Sequence, residues 1–197
     1  MPQAQTRLIV KTAVLTLIAA GALSAAAGLI VWRAGWYNIG ATASHFAIVY
    51  QGLETAMRYS VRHHARNVPV PVPALGEAEV LRGAAVYRDN CAQCHGGPGT
   101  APGTHALSMQ PVPGPLVDAA MRWQSRELYW ITRHGVKMSG MPAWEFHLSE
   151  ADTWAAVAFI NRMPAMTVRD YKTLTAMTPA QGQAQAQDQA QAEGDAR

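Results

Sequence analysis

Charge is scarce in this chain of 197 residues: 15% of the side chains are acidic or basic, against 49% hydrophobic. Such a balance leans toward a protein with a lipid-facing piece. Cysteine is scarcer still, with two residues in all. A zinc site of the structural kind needs four ligands, and there is no second cysteine pair to supply them. The length allows about one domain plus an accessory segment. The net charge of +3 is unevenly spread: residues 1–76 carry +5, residues 77–166 carry −1 and the remainder −1. The sequence pI near 9.1 therefore belongs to the N-terminal part and is no argument for nucleic-acid binding, which no recognition motif supports.

Charge is absent altogether from residues 12–32, a run of 21. About 20 residues rising 1.5 Å each cross a hydrocarbon core. Arg7 and Lys11 precede the run, and Trp32, Arg33, Trp36 and Tyr37 follow it. Cations suit a cytoplasmic flank and aromatics a headgroup belt, so residues 1–35 are expected to be a transmembrane anchor with its N-terminus inside and the rest exported. A cleaved signal peptide competes, because Ala25, Ala26 and Ala27 form a small-residue cleavage pattern. The apolar run continues past that point to Val31, where a signal peptide turns polar. Gly21, Ser24, Ala25 and Gly28 add small-xxx-small pairs that let a partner helix approach.

Within residues 36–67, residues 44–66 read as an amphipathic helix. Phe46, Val49, Leu53 and Met57 fall on one face and Arg58, Arg62 and Arg66 on the opposite one. The charged stripe is either a solvated face or a docking face. A Val-Pro alternation at 68–73 marks a stiff spacer, so a linker is placed at 68–76. The extension 167–197 ends in Gln, Ala, Gly and acid, too poor in apolar bulk to order, and disorder is expected from about 180.

The two cysteines stand in Cys91-Ala92-Gln93-Cys94-His95, the haem-attachment pattern. Two thiols at this spacing can add to the two vinyl groups of one haem, and the histidine that follows becomes the proximal iron ligand. A thioredoxin-like redox pair, zinc and a structural disulfide compete. The first wants a strand leading into a helix, whereas residues 77–90 are a helical pattern leading into the motif.

With that motif in place, residues 77–166 resemble the class I c-type cytochromes. Gly83 and Tyr87 stand where the family packs its first helix against its last. The last helix is predicted at 150–163, with Trp154 and Phe159 at family-like aromatic positions and Ser149 and Asp152 forming a capping box. The resemblance implies an all-α fold, a small class I cytochrome c domain preceded by one transmembrane helix and the amphipathic helix. The stretch Gly135-Val136-Lys137-Met138-Ser139-Gly140-Met141-Pro142-Ala143-Trp144 resembles the family's methionine loop. Met141 is the expected sixth iron ligand, since Pro142 forces the residue before it toward an extended conformation. Met138 is the alternative, and His105, His134 and His147 are candidates for bis-histidine ligation. The family orients its proximal histidine with a proline-rich loop, here Pro111-Val112-Pro113-Gly114-Pro115, which leaves Pro113 and Pro115 both eligible.

The expected cofactor-binding set is thus Cys91, Cys94, His95 and Met141, with His95 and Met141 on the metal of one covalently attached haem c. His plus Met fills both axial positions and leaves no site for a small-molecule substrate. The resemblance therefore implies an electron carrier rather than an enzyme; a peroxidase would require the Met loop to detach. Expected partners are the membrane and a redox protein or larger oxidoreductase complex, with no nucleic acid. The expected place is a bacterial inner membrane, single-pass, with the haem domain in the periplasm. A haem subunit of a respiratory or periplasmic complex is favoured over a leashed shuttle between a quinol-linked complex or dehydrogenase and a terminal oxidase, because low charge on the haem domain disfavours long-range steering. Intact mass or N-terminal sequencing of the mature protein should find residues 12–32 still present; a chain beginning near Gly28 would contradict the anchor.

Overall fold

Nothing in the run of Ala, Leu, Ile and Val interrupts a helix, and α1 extends over Pro2–Arg33. The computed structural model describes residues 2–71, 76–177 and 191. Side chains of α1 are exposed throughout, from Gln3 onward. The helix is long and apolar enough to cross a membrane, and a helix apolar on every side finds its solvent in lipid. Residues 1–43 form one unit and residues 44–197 another.

The second unit is built around two helices, α3 (Glu77–Asn90) and α7 (Glu150–Arg162). Both begin with acidic residues in the first turn, which complement the positive end of the helix dipole. The Ser149 hydroxyl accepts the Asp152 N–H at 3.0 Å and donates to Asp152 Oδ2 at 2.6 Å. The expected capping box is therefore half made. The Asp152 carboxylate turns to the Ser149 hydroxyl and to Arg82 Nη2, 2.7 Å away on α3. A second ion pair, Arg162 to Glu77 at 3.2 Å, ties the same two helices.

Gly83 decides how closely they approach. A Cβ there would lie 1.9 Å from the Ala155 carbonyl oxygen, so only glycine lets the two backbones touch. One turn on, Tyr87 packs its ring 5.3 Å from that of Phe159, and both side chains are fully buried. Across α7, Trp154 stacks on Tyr129 at 4.3 Å, a contact that brings in α6 (Ser125–His134). Val157, Ile160 and Met163 complete the apolar centre. The last helix expected at 150–163 is α7 with a 3-10 turn, Met163–Ala165, on its end.

Two helices outside 77–166 also join this unit. The amphipathic helix is α2, Ala47–Ala65. It buries Val61 and Ala65 and stacks His64 on Trp130 of α6 at 5.6 Å. Of the apolar stripe read from the sequence only Met57 is half-buried; Phe46, Val49 and Leu53 are exposed. Beyond residue 166, α8 (Val168–Ala176) starts with a full capping box between Thr167 and Asp170. It lays the buried Tyr171 edge-on to Tyr87, 6.4 Å between rings, and Arg88 of α3 donates to the carbonyls of Thr175 and Met177 at 3.0 and 2.8 Å. The shorter α4 (Ala92–His95) and α5 (Ala119–Arg122) lie in the connection from α3 to α6. Among the described residues there is no strand, only a bridge between Gly97 and Thr100. Four residues of the spacer, 72–75, and the tail at 178–190 and 192–197, where disorder is expected from about 180, lie outside the described residues.

Replacing Gly83 by alanine should force α3 and α7 apart, at a cost of about 1–3 kcal/mol for an overpacked contact. The denaturant midpoint should fall while the dependence on denaturant stays the same. An unchanged midpoint would mean that this contact does not set the helix separation.

Candidate functional site

The cysteine motif sits where α3 stops. Cys91 closes α3 with its N–H on the Tyr87 carbonyl, and one further helical turn, α4, carries Cys94 and His95. Gly96 then reverses the chain at φ +64°. A Cβ at that position would lie 2.5 Å from the Thr100 carbonyl oxygen. The Tyr87 hydroxyl donates to the Gly96 carbonyl at 2.8 Å, and the Tyr171 hydroxyl approaches the same oxygen at 3.5 Å. Burial foremost, then Cys91 and Tyr171, pushes the Tyr87 hydroxyl above its ordinary range, so it stays a proton donor. Two core tyrosines thus fix the turn next to His95.

The His95 ring is fixed by the proline-rich loop, at a point between the two prolines that the sequence left eligible. Nδ1 lies 2.7 Å from the carbonyl oxygen of Gly114. A carbonyl can only accept, so Nδ1 carries the proton and the lone pair of Nε2 is left for a metal. Pro113 and Pro115 frame this carbonyl rather than supply the acceptor. Burial holds the imidazole below its ordinary value, against the upward pull of the Gly114 bond.

Cys91, Cys94 and His95 line a cleft of about 280 Å³ together with Met141. Its walls are mostly apolar: Leu116 and Ala119 from the middle segment, Leu128 and Ile131 from α6, Ile160 from α7. Met141 arrives on a loop pinned by hydrogen bonds of its own residues. The Val136 N–H donates to the Met141 carbonyl at 3.3 Å, the Ser139 hydroxyl donates to the Val136 carbonyl at 2.7 Å, and the Met141 N–H donates to Ser139 Oγ at 3.2 Å. Gly135, at φ +66°, lets this loop close, since a Cβ there would lie 2.6 Å from the Pro142 carbonyl.

The other candidates lie elsewhere. Met138 is 79% exposed at φ +60° and does not line the cleft. His105 sits beside Cys94, its Nε2 3.8 Å from Sγ. His134 and His147 are exposed, His134 beside Glu145 at 3.6 Å and His147 against the Trp144 ring. Two further methionines line the cleft, where the sequence did not place them. Met109 rests its sulfur where a Gly140 side chain would be, 2.6 Å from that Cβ position, and Met57 reaches the cleft from α2. Met57 could be read as apolar face, but nothing local says that α2 folds back over the domain.

Cys91 and Cys94 are both free. Burial, reinforced by Cys94, pushes the Cys91 thiol up to about 12. A redox-active cysteine pair needs the opposite, a depressed thiol. No group of three or more His, Cys, Asp or Glu side chains able to hold a metal ion occurs among the described residues. Two thiols three residues apart, an imidazole with Nε2 unprotonated and a thioether in one apolar cleft fit a covalently held haem, and none of the competing readings.

The family comparison agrees with this chemistry. Residues 78–160 match the family described as cytochrome C oxidase, cbb3-type, subunit III. Neither the curated proteins nor the solved structures give a match. Residues 78–160, then, form a class I c-type cytochrome domain, which implies covalently bound haem c, and among the described residues one long apolar helix suited to membrane anchoring precedes them.

Proposed function

We propose that this protein carries single electrons through one haem c bound to Cys91 and Cys94, with His95 and Met141 as the axial ligands, as a membrane-anchored haem subunit of a respiratory or periplasmic oxidoreductase. The observation that carries the reading is the pairing of His95 and Met141 in one cleft with the His95 ring oriented by Gly114. A haem held there supplies a one-electron iron couple, and a thioether ligand raises its potential relative to two histidines. The chain's own contribution is fixation. Gly114 holds the imidazole and Tyr87 the turn that follows it, the bonds among Val136, Ser139 and Met141 hold the thioether, and the apolar walls keep water out. With both axial positions taken by side chains, no substrate can bind the metal, and the protein is a carrier. Met141 is preferred to the other two methionines in the cleft because it stands before Pro142 in the stretch that resembles the family's methionine loop, while Met109 packs against Gly140 and Met57 belongs to a helix before the matched residues.

The subunit reading is supported by the family match and by α1. With Arg7 and Lys11 on the cytoplasmic flank, a single-pass topology in a bacterial inner membrane puts the haem domain in the periplasm. The anchor is retained on this reading.

Met141→Ala should convert the iron toward high spin, admit carbon monoxide and lower the potential, whereas Met138→Ala should do little of this. The thioether links keep both variants coloured, so absorption spectra and redox titration compare them directly. Loss of the Met-to-iron band in Met138→Ala but not in Met141→Ala would reverse the assignment.

Because Met57 lines the cleft, α2 also serves as a wall of it. Met57→Gln should keep the axial spectrum and lower the midpoint potential, since a polar amide favours the more highly charged ferric state; the shift is on the order of tens of millivolts, against about 59 mV for a tenfold change in a one-electron equilibrium. An unchanged potential would place Met57 outside the haem environment.

A further inference from the structure

The arginine stripe of α2 is broken up in the fold. Arg58 turns inward, 2.8 Å from Glu54 and with its guanidinium over the Trp123 ring at 5.8 Å. Arg62 and Arg66 instead share an open cleft of about 800 Å³ with Arg122 and Arg126. These four cations come from α2 on one side and from α5 and α6 on the other, so their convergence exists only in the folded chain.

Their partners are few. Arg122 pairs with Asp118 at 2.9 Å. Glu127 also lines the cleft, but its carboxylate accepts the Gln124 N–H at 2.8 Å. Arg126 donates to the Arg66 carbonyl at 3.0 Å and Arg66 to the His63 carbonyl at 2.8 Å. Arg62 makes no ion pair among the described residues. Three guanidinium groups thus converge without a side-chain carboxylate bonded to them. Like charges held together gain most from an anion placed among them, and the planar guanidinium fork fits a carboxylate with two hydrogen bonds.

The location decides which anion. Arg122 and Trp123 line both this cleft and the haem cleft, so a protein seated here is one layer of side chains from the cofactor. We infer that the arginine cleft is the docking surface for a redox protein presenting carboxylates, through which one electron is exchanged. One partner loses the electron that the other gains, and no bond is made or broken. A lipid headgroup in the cleft would instead cover that approach. The inference rests on the electron-carrier reading above.

The test uses the full chain in neutral detergent and the variant Arg62→Gln/Arg66→Gln/Arg126→Gln. Arg122, which touches the haem cleft, is left in place. The reduced chains are mixed with anionic hexacyanoferrate(III) or cationic tris(phenanthroline)cobalt(III), each of which takes one electron. Relative to the native chain, the variant's rate with hexacyanoferrate should fall roughly tenfold at low ionic strength and lose its salt dependence, and its rate with the cobalt complex should rise. Both chains should keep one haem spectrum. Equal rates for native chain and variant would overturn the proposal. So would loss of the difference when the chains are placed in phosphatidylcholine nanodiscs containing phosphatidylglycerol, since headgroups would then fill the cleft. Absence of the Met-to-iron band from both chains would contradict the Met141 assignment and leave the rate comparison intact.

Discussion

The packing of Gly83 against the Ala155 carbonyl, which leaves no room for a side chain, governs the rest. With no side chain at 83 the backbones of α3 and α7 meet, and Tyr87 comes to rest against Phe159. That position carries the Tyr87 hydroxyl to the Gly96 carbonyl, which is the turn immediately after His95. Helix separation is thereby transmitted to the imidazole through one buried side chain. Tyr171 from α8 approaches the same oxygen and fills the space over Gly97, where a Cβ would lie 2.2 Å from its ring.

The two faces of the haem cleft are held by different means. On the cysteine side the restraint comes from helix packing and from the Gly114 carbonyl, a peptide group that cannot rotate away as a side chain can. On the methionine side it comes from within the loop, through one backbone bond between Val136 and Met141 and two made by the Ser139 hydroxyl. An axial ligand set fixed before the metal is bound costs less ordering when it binds, and acceptors on a histidine ligand tune the metal as well as aim the ring. Arg122 and Trp123, which close the cleft at one end, also face the arginine cleft. The cofactor site and the charged surface therefore share a wall, and a change on one side can be felt on the other.

What the sequence disclosed and what it concealed divide along local and non-local lines. The boundaries of α3 were readable because its residues lead straight into Cys91, and Ser149 announced the start of α7 by its capping chemistry. Gly83, Tyr87, Trp154 and Phe159 could be placed in the core through the resemblance. The acceptor for His95 fell between two plausible prolines, because a backbone carbonyl leaves no trace in residue identity. The folding of α2 onto α6 is concealed for a different reason: its buried residues Val61 and Ala65 are small and sit beyond the larger apolar stripe of Phe46, Val49, Leu53 and Met57. The packing of α8 was hidden by its setting, one aromatic, Tyr171, in a polar stretch that precedes a low-complexity tail. Arg62 and Arg66 read as a stripe on one helix; only the fold shows that Arg122 and Arg126 face them.

Ligation of the iron by Met141 is the claim on which the carrier function depends, and proton NMR of the reduced protein addresses it without altering the chain. A methionine methyl held over the iron lies in the ring current of the porphyrin and resonates far upfield of every ordinary methyl. One such methionine methyl is expected, belonging by selective labelling to Met141. An upfield methyl assigned to Met57 or Met109, or none at all, would contradict it.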